Sequence, residues 1–204
     1  MTETTDPIPT VFIVDDDASI RYAMKALLDS VDLPCEVFAS ADEFLKKNSG
    51  PRAGCLVLDI RMPGLSGLEL QQELIDRGNR IPIIFITGHG DVPMAVEAMQ
   101  KGALDFIQKP FRDQDLLDRL SDALKTDREQ RAAERERKAV ADRMTTLTNR
   151  EREVFDLVVT GKPNKVIAYD LGVSQRTVEI HRSRVMEKMQ ARSLADLVRM
   201  HLIS

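Results

Sequence analysis

The sequence predicts an α/β domain with a parallel sheet, joined by a charged segment to a small domain made only of helices. Three observations carry this prediction. Five short apolar runs alternate with helical patterns over residues 1–125, a stretch without glycine or proline follows at residues 126–143, and the rest shows helical patterns alone. A chain of 204 residues is long enough for one medium domain and one small domain.

Most of the predicted strands of the first domain are continuous apolar runs. Such runs are typical of strands that are buried on both faces of a parallel sheet. Ser66 and Asp91 are predicted N-caps of the helices between them, and Gly78 and Gly102 are predicted helix ends. We expect strands at residues 10–14, 35–38, 55–58, 83–87 and 105–108, and helices at residues 18–31, 41–47, 66–77, 92–101 and 112–125. Five β-α units in succession predict a doubly wound sheet with right-handed crossovers.

The segment after the first domain is rich in charge and almost without large apolar side chains. Acid-to-base pairs four residues apart, such as Asp127 with Arg131 and Glu134 with Lys138, favour an exposed helix. A coiled-coil dimer is the alternative, although the apolar positions are too few for a sustained heptad seam. We therefore divide the chain into a first domain at residues 1–125, a helical linker at 126–144 and a last domain at 145–204.

Charge is unevenly divided along the chain. Residues 1–124 hold 12 Lys and Arg against 21 Asp and Glu, a net charge of −9, whereas residues 125–204 hold 17 against 12, a net charge of +5. The basic second half is the better candidate for a polyanionic partner. A solvated, charged helix is the alternative explanation, because the excess is small.

The sequence has no feature of a membrane-spanning or secreted protein. No apolar run approaches the ~18 residues that a membrane-spanning helix needs, and the polar residues 1–9 do not form a signal peptide. Cys35 and Cys55 lie in apolar, strand-like runs, where two buried reduced thiols are expected rather than a disulfide or a metal site. We therefore expect a cytoplasmic protein that does not insert into membranes.

Polar side chains stand at the C-terminal ends of four predicted strands, the edge at which open α/β sheets bind ligands. They are Asp15, Asp16 and Asp17 after the first strand, Asp59 at the third, Thr87 at the fourth and Lys109 after the fifth. The alternation of elements does not fix the strand order, but in the order 2-1-3-4-5 these four ends are neighbours. Crowded carboxylates repel one another unless a cation joins them, and Mg²⁺ suits such oxygen ligands. A carboxylate beside Mg²⁺ can attack a phosphoryl group.

Four segments around these positions resemble the receiver domain of bacterial two-component response regulators. They are VDDD at 14–17, LDIRMPGLSG at 58–67, FITGHGD at 85–91 and DFIQKPF at 105–111. The resemblance covers about residues 8–126 and implies a flavodoxin-like sheet of order 2-1-3-4-5. It makes Asp59 the phosphoacceptor, with Thr87 and Lys109 beside it.

The same resemblance implies a metal site and leaves other residues outside it. Its ligands would be Asp15, Asp16, Asp59 and the backbone carbonyl of Arg61, which together hold Mg²⁺. Asp17 is expected to be solvated or to cap a helix. His89 is expected to be structural rather than catalytic.

A switch and a dimerisation face are also implied by the resemblance. A phosphoryl group adds about −1.5 to −2 charge at pH 7. We hypothesise that Thr87, as the switch hydroxyl, moves toward this charge, and that Phe106, as the switch aromatic, turns inward into the vacated space. Dimerisation would follow through the neighbouring surface, whose predicted members are Val92, Val96, Met99 and Lys101.

The last domain shows helical patterns at residues 149–160, 165–171, 175–189 and 194–202. Thr148 and Glu151 form a capping-box pattern, and Ser174 is a predicted N-cap. In the helix that follows Ser174, three apolar residues can face a core while the polar ones face outward; the three are Val178, Val185 and Met189. A helix of this kind can enter the major groove of DNA.

This domain resembles the LuxR/FixJ-type helix-turn-helix domain over about residues 145–204, with NKVIAYDLGVSQRTVEIHRSRVMEKM at 164–189 as its main matching segment. The resemblance implies a recognition helix at 175–189 and a dimer contact in the last helix, which would match a two-fold operator. The implied base or phosphate contacts are Arg176, Thr177, Glu179 and Arg182, and the implied backbone contacts are Lys165, His181 and Lys188. An internal ion pair between Glu151 and Arg182 is the alternative role for that arginine.

Together the two resemblances predict a phosphorylation-dependent transcription regulator of the FixJ/LuxR family with a NarL-like output domain. The implied partners are a sensor histidine kinase, duplex DNA, a second copy of the chain and RNA polymerase, with activation as the expected output. A stand-alone enzyme is one rival, but the sequence has no GxxxxGK[ST], HExxH or GxSxG motif. An output domain that binds protein or RNA is another, and the absence of Trp argues against stacking on single-stranded RNA.

Overall fold

The chain folds into two compact units, Met1–Gln130 and Arg131–Ser204, in a computed structural model. The structure describes residues 7–48, 50, 52–88 and 92–203, and for Val92 it describes the backbone alone. The predicted N-cap Asp91 and the loop residue His89 lie outside the described residues.

The first unit is built on a parallel sheet of five strands. Their order is β2-β1-β3-β4-β5, with every neighbouring pair parallel. The strands are β1 (Thr10–Val14), β2 (Cys35–Phe38), β3 (Gly54–Asp59), β4 (Ile83–Thr87) and β5 (Asp105–Gln108). The predicted fold class is confirmed, and β3 is longer than predicted by one residue at each end.

Each central strand sends alternate side chains into two separate cores, one on each face of the sheet. In β1, Phe12 and Val14 belong to one core, whereas Val11 and Ile13 belong to the other. All four side chains are buried. This two-sided burial explains the continuous apolar runs in the sequence.

Helices cover both faces of the sheet. They are α1 (Ala18–Ser30), α2 (Ala41–Lys47), α3 (Gly67–Asp76), α4 (Val92–Gln100) and the first part of α5 (Asp113–Thr145). The predicted cap Ser66 is confirmed, because it forms a capping box with Glu69. Gly78 and Gly102 follow helices with φ angles of 69° and 91°, which suits a glycine at a helix end.

Helix α5 is continuous over 33 residues and includes the whole of the predicted linker, residues 126–144. The segment was predicted to be an exposed helix, and three of its positions are buried. Asp127 is buried in the first unit, where its Oδ2 accepts a hydrogen bond of 2.9 Å from the Gly54 amide. Val140 and Met144 are buried in the core of the second unit.

The second unit contains the end of α5 and four further helices: α6 (Asn149–Val159), α7 (Asn164–Leu171), α8 (Gln175–Met189) and α9 (Leu194–Ile203). The capping box of Thr148 with Glu151 and the N-cap Ser174 are confirmed. Gly172 ends α7 in the left-handed conformation, at φ 64°, and opens the turn into α8. The unit is therefore all-α, as predicted.

The two cysteines were predicted to be buried and reduced, and the structure separates them. Both cysteines are free, but only Cys55 is buried, and Cys35 on the edge strand β2 is partly exposed. Burial raises the pKa of the Cys55 thiol to about 12, so it is protonated at neutral pH. Among the described residues, no helix combines the length and the apolar character needed to cross a membrane.

Candidate functional site

The C-terminal ends of β1, β3 and β5 bring three predicted site residues into contact. The Lys109 Nζ donates to Asp15 Oδ2 at 2.9 Å and to Asp59 Oδ2 at 3.2 Å. Asp15 is fully buried and Asp59 is 9% exposed. The parallel sheet explains this meeting, because β1 and β3 are neighbours and the loop after β5 reaches the same edge.

Asp15 is held in place by the start of α1. Its Oδ1 accepts a hydrogen bond of 2.8 Å from the Asp17 amide, and its backbone carbonyl accepts one of 2.6 Å from Arg21 Nη1. The Asp17 carboxylate points elsewhere: its Oδ1 accepts from the Ser19 amide at 2.7 Å and so caps α1. The prediction that Asp17 caps a helix is confirmed.

The electrostatic surroundings of Asp59 favour a basic carboxylate. Burial raises the pKa of Asp59 most, and the Asp15 charge raises it further; the Lys109 charge, the Lys109 hydrogen bond and the Arg61 amide oppose this without cancelling it. Burial by itself would lower the pKa of Lys109, but the hydrogen bond to Asp15 and the two carboxylate charges outweigh it and raise that pKa. Lys109 therefore stays an ammonium ion beside a carboxylate that is more basic than usual.

Three carboxylates at this edge form a candidate metal site. Asp15, Asp16 and Asp59 each offer an oxygen, and these oxygens all lie within 4.8 Å of one another. Carboxylate oxygens are the donors that Mg²⁺ prefers, so the residues present fit this ion. The Arg61 amide lies 3.4 Å from Asp59 Oδ1, which brings the Arg61 backbone close to the same group.

Gly67 allows α3 to begin against the end of β3. A Cβ at this position would lie 2.2 Å from the Asp59 carbonyl oxygen, far inside van der Waals contact. The Gly67 amide also donates to the Ile60 carbonyl at 3.0 Å. Any side chain here would have to displace the backbone that carries the candidate phosphoacceptor.

The predicted switch residues lie on two neighbouring strands, Thr87 at the end of β4 and Phe106 as the second residue of β5. Thr87 is buried, and its hydroxyl lies 3.5 Å from the Ile107 carbonyl oxygen. Phe106 is 40% exposed on β5. Two members of the predicted dimer face, Val96 and Met99, are also exposed on α4. Lys101 forms an ion pair with Glu97, and the Val92 side chain lies outside the described residues.

Helix α8 packs as predicted, with three apolar side chains inward. Val178, Val185 and Met189 are buried. Arg176 and Glu179 are exposed, and Lys165 is exposed on α7. Thr177 is partly buried, with its hydroxyl 2.8 Å from the Ser174 hydroxyl. His181 is also partly buried, and within the described chain its buried Nδ1 has no hydrogen-bond partner.

Two predicted DNA contacts are occupied by internal partners. Arg182 is partly buried and donates from Nη1 to Asn164 Oδ1 at 3.0 Å. Lys188 donates to Glu151 Oε2 at 2.6 Å and to the Thr146 carbonyl at 2.9 Å. The alternative pairing of Glu151 with Arg182 is wrong, because Lys188 takes that place. Lys188 therefore has two of its three ammonium donors engaged within the unit, and its contact with DNA stays a prediction.

The Glu151 carboxylate is a structural anion within the second unit. Its hydrogen bond from Lys188 is the largest influence, and with the Thr148 amide it lowers the pKa of Glu151 to about 2. Its side chain is 3% exposed. The pair therefore joins the N-terminus of α6 to the C-terminal part of α8.

Sequence reasoning missed the residues that line the outward face of α8. Ile180, Ser183, Arg184 and Glu187 are all exposed there. Helical spacing could have separated the two faces of α8. Arg182 lies four residues after the buried Val178 and three before the buried Val185, so it belongs to the inward face, and the four exposed residues belong to the other.

Such a fold and such strand ends, followed by a helix-turn-helix unit, define the class of receiver proteins that carry a DNA-binding domain. Comparison with family models gives the response regulator receiver domain at residues 11–121 and the luxR family of bacterial regulatory proteins at residues 145–201. The chain belongs to the two-component response regulators with a LuxR-type DNA-binding domain.

Its relatives match along nearly their whole length. Nodulation protein W of Bradyrhizobium diazoefficiens is 51% identical over 93% of this chain and 84% of that protein. The transcriptional regulatory protein FixJ of Azorhizobium caulinodans is 47% identical over 95% of this chain and 92% of that protein. The solved structure of the response regulator StyR covers 96% of this chain and 99% of its own, with 44% identity and a TM-score of 0.85.

Proposed function

We propose that Asp59 accepts a phosphoryl group from a sensor histidine kinase and thereby controls dimerisation and DNA binding. The observation that carries the proposal is the contact of one ammonium group with two buried carboxylates at the ligand-binding edge of the sheet. Asp59 is the one of these two carboxylates that retains some exposure. It is therefore the one that an incoming phosphoryl group can reach.

The proposed transfer forms one bond and breaks one bond. An Asp59 carboxylate oxygen attacks the phosphorus, the P–O bond forms, and the P–N bond to the kinase histidine breaks with its electron pair returning to the imidazole. Lys109 would move from Asp59 Oδ2 to a phosphoryl oxygen, because in the acyl phosphate the negative charge lies on the phosphoryl oxygens and no longer on the carboxylate. Asp15, Asp16, Asp59 and the Arg61 carbonyl would hold Mg²⁺, which when bound supplies positive charge beside the phosphoryl oxygens.

The proposed switch begins at the hydroxyl of Thr87. Its hydrogen bond to Ile107 is long, at 3.5 Å, so a phosphoryl oxygen is a stronger acceptor for the same proton. Movement of Thr87 toward Asp59 would leave space beside β4 into which the exposed ring of Phe106 can turn. This changes the surface formed by Phe106 with Val96 and Met99, and dimerisation would occur there.

The proposed output is regulation of transcription from a two-fold DNA site. Two copies joined through their receiver domains present two α8 helices to duplex DNA, which matches a two-fold operator. Activation through RNA polymerase is the output that the family membership favours. Both the kinase reaction and the DNA target would place this activity in the cytoplasm.

Sedimentation of the full chain tests the first half of this proposal. Beryllofluoride with Mg²⁺ mimics an aspartyl phosphate, and we expect it to convert the wild type from monomer to dimer. Asp59→Asn should remain monomeric under the same conditions. Asp76→Asn, which removes an exposed carboxylate outside the strand-end cluster, is the matched control and should behave as the wild type. An unchanged mass distribution for the wild type would contradict the proposal.

A further inference from the structure

The outward face of α8 carries a line of three side chains, Arg176, Ile180 and Arg184. They are spaced by four residues and therefore lie along one ridge of the helix surface. All three are exposed, Ile180 by 47%. We call this line the outer ridge.

Among the described residues, the two arginines of the outer ridge have no internal acceptor. In the part of the chain that the structure describes, no carboxylate or carbonyl accepts a hydrogen bond from Arg176 or Arg184, whereas Arg182 is bound to Asn164. A guanidinium without a partner keeps all five donors available. Arg176 and Arg184 are therefore exposed cations of α8 whose donors are all available to a duplex, whereas Arg182 and Lys188 have donors engaged by internal partners.

Ile180 lies between these two cations. A single exposed isoleucine on an ordinary surface needs no explanation, because much of any protein surface is apolar. On a helix that enters the major groove, however, an apolar side chain loses its water and needs an apolar counterpart. The C5-methyl group of thymine is the apolar group that base pairs present in that groove.

We propose that Ile180 determines sequence specificity by packing against a thymine methyl group, with Arg176 and Arg184 donating to guanines on either side. This inference rests on the proposed role of α8 as the recognition helix. Four residues of helix advance by about 6 Å, close to two steps of about 3.4 Å along one DNA strand. Each half-site should therefore contain a thymine with guanines about two base pairs away on both sides.

Replacement of thymine by deoxyuridine tests the contact of Ile180, because it removes the methyl group alone. The probe is a duplex enriched from a random pool by the full chain in the presence of beryllofluoride and Mg²⁺. Its thymines are then replaced one at a time. For the wild type we expect a roughly 4-fold loss of affinity at one thymine in each half-site, the effect of one methyl-sized apolar contact.

The Ile180 variants show whether this residue is responsible. Ile180→Ala should bind the thymine and deoxyuridine duplexes equally, and Ile180→Val should keep part of the discrimination. Val166→Ala is the matched control, because Val166 is a 40% exposed β-branched residue on α7 that lies off the outer ridge. It should discriminate as the wild type does. Equal melting temperatures would show that the variants are folded.

A second arm tests the arginine at the C-terminal end of the ridge. Replacing one guanine by 7-deazaguanine removes the N7 acceptor, which should weaken binding by the wild type roughly 5-fold or more at the contacted position. The same replacement should leave binding by Arg184→Ala unchanged.

The possible results separate this inference from the proposed function. A pool without any enriched sequence would contradict sequence-specific DNA binding itself, and the outer ridge with it. If every thymine of the enriched sequence can be replaced by deoxyuridine without loss of affinity, DNA binding stands and the role of Ile180 is overturned. Discrimination by Ile180→Ala equal to that of the wild type would also overturn it.

Discussion

At the scale of single residues, internal hydrogen bonds decide how many donors a charged side chain can offer to a partner. Arg182 and Lys188 have the residue types expected of DNA contacts, yet one is bound to Asn164 and the other to Glu151. Helical spacing alone could have placed Arg182 on the buried side of α8. The choice of Lys188 as the partner of Glu151 could not be predicted, because it depends on how α6 crosses α8.

The Glu151–Lys188 pair should make the stability of the second unit depend on pH. The folded pKa of Glu151 is about 2, against 4.5 for an unperturbed carboxyl group. A depressed pKa contributes stability that is complete above about pH 4.5 and is lost as the pH falls toward 2. We expect Glu151→Gln to lower the free energy of unfolding by about 1–3 kcal/mol at pH 7, and the difference from wild type to shrink below pH 4.5.

Urea unfolding of the full chain, followed through NMR signals of α8 amides, measures this difference for the second unit alone. Glu187→Gln is the matched control, because Glu187 is an exposed glutamate on the same helix. It should change the free energy of unfolding by less than about 0.5 kcal/mol. A difference between Glu151→Gln and wild type that persists unchanged at pH 3 would contradict the assignment of the low pKa.

At the scale of elements, the sequence was sufficient for those whose burial is continuous. All five strands were predicted to within one residue at each end. The central strands β1, β3 and β4 show nearly unbroken apolar runs because they are covered on both faces. The burial within helix α5 was harder to predict. Asp127, near its middle, is hydrogen-bonded to Gly54 in the first unit. Val140 and Met144 are buried in the core of the second unit. Three buried residues in so charged a segment are too few to produce a pattern.

Asp127 should stabilise the first unit through the Gly54 amide. Asp127→Ala leaves a buried N–H group without this acceptor, so we expect a loss of about 1–3 kcal/mol in the free energy of unfolding. Asp127→Asn keeps an oxygen acceptor and should lose less. Hydrogen exchange of the Gly54 amide measures the effect at its source. Asp122→Ala, which removes an exposed carboxylate from the same helix, should leave that exchange rate unchanged.

The start of α3 should tolerate no side chain at Gly67. Because an added Cβ would lie 2.2 Å from the Asp59 carbonyl oxygen, Gly67→Ala should displace Asp59 and abolish most binding of beryllofluoride with Mg²⁺. Gly50→Ala is the control, since a Cβ at Gly50 meets no atom within 4 Å. Titration calorimetry distinguishes the two variants. Wild-type affinity in Gly67→Ala would show that the backbone can shift without disturbing the site.

At the scale of the whole molecule, the chain combines a receiver domain with a LuxR-type DNA-binding domain. The sequence predicted both units. It predicted the meeting of Asp15, Asp59 and Lys109 only with the strand order that the receiver resemblance implied, which brings these strand ends together at one edge. It could not predict which cations of α8 remain available, since that depends on side-chain partners within the second unit. The proposed control of DNA binding by Asp59 requires both units, and it must therefore be measured in the full chain.

The most direct measurement is the affinity of the full chain for its enriched duplex, with and without beryllofluoride and Mg²⁺. We expect these additions to strengthen binding by the wild type within the range of about 5- to 150-fold that is typical of coupled sites. They should not change binding by Asp59→Asn. Equal strengthening in Asp59→Asn, or none in the wild type, would contradict control of DNA binding through Asp59.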